Sequence, residues 1–229
     1  MVEVTGSTQD DLYQLASNKK LPPKSILLSE YQSAGRGRLD RNFIAPSGSA
    51  LTFSLYIEPK VEKVYWPFLS LVTGVSIKEA LNLLDPSLAI TLKWPNDLMI
   101  NEKKCGGIIT QATDRGVIVG IGINVDMRKD ELPVEIATSL GIEGFHILDR
   151  NQIAASIINY LEIDFQMWEL GDTFLNQYSR ASSTIGSKVE ITTPDGEKIQ
   201  ALATGISESG ALILENGREI TVGDVIHLR

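Results

Sequence analysis

The sequence predicts a mixed α/β (α+β) chain that gives way to a small all-β unit at its C-terminal end. Three observations predict it. Up to residue 180, segments of helical period alternate with short apolar runs. Within that part, residues 117–124 are apolar up to the closing Asn124, as in a strand buried on both faces. Beyond Ala181-Ser182-Ser183-Thr184 the pattern changes to five short strands in under fifty residues, each ended by a turn signal.

In chain order, residues 2–4 read as a short strand. Residues 8–17 read as a helix, with Ser7 and Thr8 before Asp10-Asp11 as cap and acidic first turn. Residues 25–30 and 49–57 read as strands. Residues 64–84 read as one long helix with apolar positions at Leu69, Val72, Ile77, Leu81 and Leu84, closed by Asp85-Pro86. Strands follow at 90–93, 98–100 and 104–112, the last two joined by a turn at Asn101-Glu102-Lys103. After the buried strand at 117–124, helices are predicted at 151–170 and 172–180.

The division this implies is a first domain at 1–182 and a second at 183–229. In the second, strands at 188–193, 198–206, 211–214, 218–222 and 225–228 are separated by Pro194-Asp195-Gly196, Ser209-Gly210, Asn216-Gly217 and Gly223-Asp224. Five such strands suggest a small SH3-like β-barrel, too small to stand alone with ease and expected to pack on the first domain.

Composition narrows the function classes. At 229 residues the chain can bury a sizeable core. A formal charge of −8 argues against a general nucleic-acid binder, which shows a basic face. No apolar run is long enough to span a membrane, and Met1-Val2-Glu3-Val4 carries no secretory pattern. One cysteine excludes an internal disulfide and fits a reducing compartment, so a cytoplasmic location is expected. His146, His227 and Cys105 make no zinc pattern.

Against the acidic average, Arg36, Arg38 and Arg41 crowd six positions, with Gly35 and Gly37 among them. Glycine allows close backbone approach, and arginine offers a planar fork for phosphate or carboxylate. The loop alone reads equally as an anion-capture loop or as a basic surface loop of RGG type. A second constellation, Lys93-Trp94-Pro95-Asn96-Asp97, follows an apolar strand that Pro95 must end. It displays Lys93, Asn96 and Asp97 at a strand end. Lys104 then precedes Gly106-Gly107, which leave room for a ligand beside it. Taken singly, Lys104 reads as a turn lysine, Trp94 as core, and Asp97 as a turn cap.

Together these motifs resemble those of the biotin protein ligases, in the family's order and over nearly the whole chain. Ser7-Thr8-Gln9 resembles the family's Ser-Thr-Asn. Gln32 to Arg41 resembles its biotin and adenylate loop, and Pro46-Ser47-Gly48-Ser49 with Leu51 and Ser54 the strand after it. Lys93 to Asp97 is its Lys-Trp-Pro-Asn-Asp, Lys104 to Ile108 its Lys-x-x-Gly-Ile, and Gly120 to Val125 its Gly-Ile-Gly-Ile-Asn-Val.

The resemblance implies a mixed-sheet catalytic domain of the biotin/lipoate ligase type with an SH3-like C-terminal module. It implies ATP-dependent formation of biotinyl-5′-adenylate and transfer of biotin to a lysine of a biotin carboxyl carrier protein. Lys104 and Arg38 are the catalytic residues it implies. Ser7, Thr8, Gln9, Gln32, Gly35, Arg36, Gly37, Arg38, Lys104 and Gly107 are implied for biotin. Arg38, Arg41, Phe43, Lys93, Asn96, Asp97 and Asn124 are implied for ATP, with Asp97 on Mg²⁺. It also implies a monomer–dimer equilibrium, while the composition leaves no membrane or nucleic-acid partner expected. The family's optional N-terminal helix-turn-helix has no counterpart here, so a repressor role is not expected. A non-catalytic biotin or adenylate sensor and a lipoate ligase are the alternatives. The loop at 33–43 is expected to order when an anion offsets its arginines. Asp40, Phe43, Gln9 and Gln111 depart from the family pattern, at its third glycine, tryptophan, asparagine and usual glutamate.

Overall fold

A computed structural model describes residues 1–18, 21–39 and 41–228. Asp40 therefore lies outside the described residues. Twelve strands and four α-helices are named among them: β1 Val2–Thr5, α1 Thr8–Ser17, β2 Ser25–Gln32, β3 Ala50–Ile57, α2 Leu69–Leu84, β4 Ile90–Lys93, β5 Asp97–Ile100, β6 Lys103–Ala112, β7 Val117–Asn124, α3 Arg150–Glu169, α4 Leu175–Ala181, β8 Lys188–Thr192, β9 Lys198–Ile206, β10 Leu212–Leu214, β11 Glu219–Ile220 and β12 Asp224–His227.

The first seven strands form one mixed sheet in the order β1-β2-β3-β7-β6-β5-β4. Only β1 and β2 run parallel; every other neighbouring pair is antiparallel. Strand pleating assigns the faces. In β7, Val117, Val119, Ile121 and Ile123 join the main core with α2 and α3. Ile118 points to the other face, into a smaller cluster with Leu12 of α1 and Tyr56. That second face is covered only in part. Beyond Ile118 it carries Gly120, Gly122 and Asn124, so it stays open as a floor.

Three sequence readings are corrected here. The single helix over 64–84 is instead a 3₁₀ turn at Lys63–Phe68 followed by α2 from Leu69. Pro67 within that turn has no amide to donate into an α-helical ladder. The helix expected at 172–180 starts later, at Leu175. Asp172 Oδ1 accepts from the Phe174 amide (2.9 Å), and Phe174 sits at φ 52, so the chain turns before the helix begins. The hairpin turn is also tighter than expected. Lys103 pairs with Ile100, leaving Asn101 and Glu102 as a two-residue turn with φ 49 and 63.

The C-terminal unit is a five-stranded antiparallel sheet, β11-β10-β9-β8-β12. It docks on the first sheet by specific bonds. Trp94 donates its indole N–H to Gly210 O (3.0 Å) and its amide to Thr184 Oγ1 (3.0 Å). The Ser183 amide donates to Leu92 O (2.8 Å). Val189, Ile191 and Leu212 belong to the same buried cluster as Leu98 and Ile108, so one core runs under both sheets. No helix among the described residues is long and apolar enough to cross a membrane.

Candidate active site

Register builds the site from residues far apart in sequence. Cross-strand partners in an antiparallel sheet share a face. Lys93 pairs with Asp97, Asp97 with Gly107, Gly107 with Gly122, Gly122 with Thr52, and Thr52 with Ser29. One row thus crosses five antiparallel neighbours on the open face. A parallel row, Ile109–Gly120–Ser54, lies beside it. Over these rows opens a cavity of about 640 Å³.

One end of the cavity is neutral and hydrogen-bonding. Ser7, Thr8 and Gln9 are all buried at the start of α1. The Ser7 side chain caps the helix at the Asp10 amide (3.4 Å). Gln32 Oε1 accepts from the Thr8 amide (2.8 Å) and hydroxyl (3.1 Å). The Thr8 and Ser54 hydroxyls are 2.8 Å apart, and Ser54 donates to Gln9 Oε1 (3.2 Å). Gln9 Nε2 donates to Ile118 O (3.2 Å), which fixes its amide over the floor. A Cβ on Gly120 would stand 2.5 Å from Gln9 Oε1, so only glycine permits this arrangement.

The other end is cationic. Lys104 Nζ lies 2.5 Å from Asp97 Oδ1. Its side chain runs back along β6 over Gly107, where a Cβ would meet Nζ at 3.3 Å and Cε at 3.4 Å. Both glycines line the cavity, and each also has its own place in the sheet. Gly107 admits the lysine itself. Gly106 faces the core, where a Cβ would meet Gly122 O at 2.7 Å. Asn96 locks the corner: its Nδ2 donates to Ile108 O (2.8 Å), and its Oδ1 accepts from Arg38 Nη1 (3.2 Å). Burial lowers the Arg38 pKa, against the opposing pull of Asp224 and Asp97. Burial likewise lowers that of Lys93; Asp97 opposes the shift and Lys104 adds to it. Half-buried cations in this setting gain most from an anion that arrives and stays.

The arginine loop folds over the cavity as a small hairpin. The Gly37 amide donates to Arg41 O (2.7 Å) and the Phe43 amide to Gly35 O (2.8 Å). Each of its arginines has a partner on another element: Arg36 with Asp10 (2.7 Å), Arg38 with Asn96, and Arg41 with Asp224 of β12. The Phe43 ring lies on Gly122, where a Cβ would approach it to 2.8 Å.

Of the residues implied for catalysis, biotin and ATP, all but Gly35 line this one cavity. Gly35 sits at the base of the hairpin, where a Cβ would stand 2.5 Å from Phe43 O. Arg36 reaches the wall, yet its side chain is spent on Asp10. Asn124 also lines the wall, while its Nδ2 donates to Thr138 O (2.9 Å). The sequence reading missed Asp224 and Ile226 of β12 and the wall at residues 133–137. Asp224 follows Gly223 and reads as a turn; no local signal says that it faces Arg41. Among the described residues no group of three or more His, Cys, Asp or Glu could hold a metal.

Residues 1–127 match the biotin/lipoate A/B protein ligase family, and residues 184–228 match the biotin protein ligase C terminal domain. The chain is 34% identical to the biotin–[acetyl-CoA-carboxylase] ligase of Mycobacterium tuberculosis, over all of this chain and 88% of that protein. It is 28% identical to the same-named ligase of Paracoccus denitrificans, over 96% of each. The biotin protein ligase of Aquifex aeolicus, solved with biotin and ATP, superposes with a TM-score of 0.85 at 29% identity, covering all of this chain and 97% of that one. With its sheet, its cavity and its matched segments in agreement, this chain belongs to the biotin/lipoate A/B protein ligase family.

Proposed function

We propose that this protein is a biotin–[acetyl-CoA-carboxylase] ligase. It joins biotin to ATP as biotinyl-5′-adenylate, releasing pyrophosphate, and then transfers biotin to one lysine of a biotin carboxyl carrier protein, releasing AMP. The carrying observation is the polarity of the cavity. A neutral hydrogen-bonding end over Gly120 suits a ureido ring, whose oxygen and two N–H groups need opposite partners. A cationic end over Gly107 suits a carboxylate and a phosphate that must approach each other. The volume of about 640 Å³ lies in the range of pockets that bury such ligands.

The division of labour follows from this. Ser7, Thr8, Gln9 and Gln32 hold the ureido ring, with Arg36, Gly37 and Gly107 along the bicycle and its chain. Lys104 bridges the biotin carboxylate and the α-phosphate and stabilises the charge in transfer. Arg38 clamps the adenylate phosphate, and Arg41 and Lys93 face the leaving pyrophosphate. Phe43 offers a face to adenine. Asn96 orients Arg38, and Asn124 supports the wall. Asp97 is a single carboxylate, which fits Mg²⁺ only as an ion brought in on the nucleotide, since that cation keeps waters and phosphate oxygens as its other ligands. Bound there, Mg²⁺ would neutralise phosphate charge. We place the boundary between the catalytic domain (1–182) and the C-terminal unit (183–229) at the Ser182–Ser183 junction, where α4 has ended at Ala181.

ATP–pyrophosphate exchange measured with biotin and with lipoate in parallel tests the reading. Biotin-dependent exchange is expected. Exchange with lipoate alone would make the protein a lipoate ligase, and tight biotin binding without exchange would make it a sensor.

Arg38→Gly separates making the adenylate from keeping it. Arg38 donates a side-chain hydrogen bond to Asn96 and lies in the cationic end, within the field of Asp224 and Asp97. A charge-assisted bond to phosphate is worth about 1.5–3 kcal/mol, so adenylate release should speed up about tenfold or more. Synthesis should fall less, because Lys104 and Lys93 remain. Off-target labelling of bystander lysines should rise. A variant that releases adenylate at the parent rate refutes the clamp.

A further inference from the structure

The seam between the two sheets holds a histidine that the cavity does not use. His227 stands on β12, yet it is not among the residues that line the cavity. Its Nε2 lies 3.2 Å from Thr184 Oγ1. Thr184 is buried, and its hydroxyl oxygen already accepts from the Trp94 amide (3.0 Å). A hydroxyl that accepts in this way still has its own hydrogen to donate. Among the described residues, His227 Nε2 is the group in reach to take it. Nε2 is then bare and the ring proton sits on Nδ1, since the bond made by one ring nitrogen sets the state of the other. The opposite tautomer would leave the Thr184 hydrogen buried without an acceptor. A relay therefore runs from the Trp94 amide through the Thr184 hydroxyl to His227. It ties β12 to the middle of the corner that carries Lys93, Asn96 and Asp97.

We propose that His227 is a positioning residue: as a neutral acceptor it holds that corner in its working place through Thr184, and on protonation it lets go. The inference rests on the ligase reading for what the corner does. Asn96 and Asp97 hold Arg38 and Lys104, so a corner that shifts moves the cationic end with it. A misplacement of about 1 Å costs about 10²-fold in rate.

Protonation breaks the relay for a plain reason. Imidazolium donates from both nitrogens, so Nε2 can no longer take the Thr184 hydrogen. The surroundings of the ring keep it neutral. Burial lowers the His227 pKa, Lys93 of β4 adds to the shift, and Glu102 of the β5–β6 turn opposes it. From β8 the cross-strand partner is the apolar Val189, and on β12 itself Asp224 pairs with Arg41. A folded value below the ordinary one puts more protons on the unfolded chain. The contribution of the relay is thus complete above about pH 6.5 and is lost as pH falls through the folded value.

The test uses the full chain, with H227Q and H227L. Imidazole nitrogen NMR at neutral pH gives the tautomer; the chain has two histidines, and the His227 signal is the one both variants lack. Biotin-dependent ATP–pyrophosphate exchange, at saturating biotin, gives kcat/KM for ATP from about pH 7.5 to about pH 5, which reports groups of the free enzyme. The expected tautomer is Nδ1–H. The amide oxygen of H227Q accepts from Thr184 at every pH. That variant should work within about threefold of the parent at neutral pH, and the ratio of parent to H227Q should fall about fivefold or more toward pH 5. H227L has no acceptor and should sit about tenfold or more below H227Q at neutral pH. An Nε2–H tautomer overturns the relay, and so does a parent-to-H227Q ratio that stays constant with pH. H227L equal to H227Q at neutral pH overturns it too; if H227L fails to fold, the tautomer and the H227Q ratio decide. A parent without exchange overturns the proposal through the ligase reading beneath it, and the tautomer tells that failure from a failure of the relay.

Discussion

Lys104→Ala should lower adenylate formation by about 10²–10³-fold while the protein stays folded. Both halves of this expectation come from geometry. The Lys104 side chain is 40% exposed and pairs with Asp97, so its removal leaves no cavity in the core. Its backbone bonds to Ile136 and Thr138 do not depend on the side chain. What is lost is the ammonium at the floor of the cationic end, where two anions must meet. Arg38 and Lys93 remain nearby and keep the cavity cationic, so substrates still bind and the loss falls mainly on the rate of the chemical step. Lys104→Gln, which keeps the length and one donor group without charge, should behave nearly as badly if charge is what matters. Single-turnover formation of biotinyl-adenylate, with circular dichroism and a thermal melt on the same sample, decides it. A folded variant working within about threefold of the parent would remove Lys104 from the mechanism.

How much of this site could be read in the sequence divides along a physical line. Short-range patterns carried the elements well. The bounds of α1 and β7 fall where capping and apolar continuity put them, because both signals are local. The motif segments carried the identity of the cavity wall, since Lys93, Asp97, Lys104 and Gly107 are fixed by consecutive strands. Pairings between distant segments were not legible. Nothing near Asp224 says that β12 will meet Arg41. The aliphatic residues at 134 and 136 look like any surface pair until β6 places them beside Lys104. Glycines were legible as special but not as to why. Gly106 and Gly107 are adjacent, and pleating sends one toward the core and the other under Lys104. The helix at 64–84 failed for a related reason: the apolar period continues through Pro67, but the amide that an α-helix requires there does not exist.

Trp94→Ala should be the most destabilising single change at the site, by about 3–5 kcal/mol. Trp94 is 1% exposed and among the largest fully buried side chains. Removing it leaves a cavity that the surrounding sheet, fixed by pairing on both sides of the corner, cannot easily close. It also strands Gly210 O, which would lose its indole donor. The damage should therefore spread in two directions. Toward the C-terminal unit, the contact at Thr184 and Gly210 loosens, and with it the placement of Asp224 against Arg41. Toward the cavity, Pro95-Asn96-Asp97 loses the anchor before it, and Asn96 and Asp97 hold Arg38 and Lys104. Trp94→Phe fills most of the volume and loses only the indole N–H, so it should cost about 1 kcal/mol. Urea unfolding of the three proteins, followed by circular dichroism, gives both numbers. A change below about 1 kcal/mol for Trp94→Ala would mean that the two sheets do not share the core described.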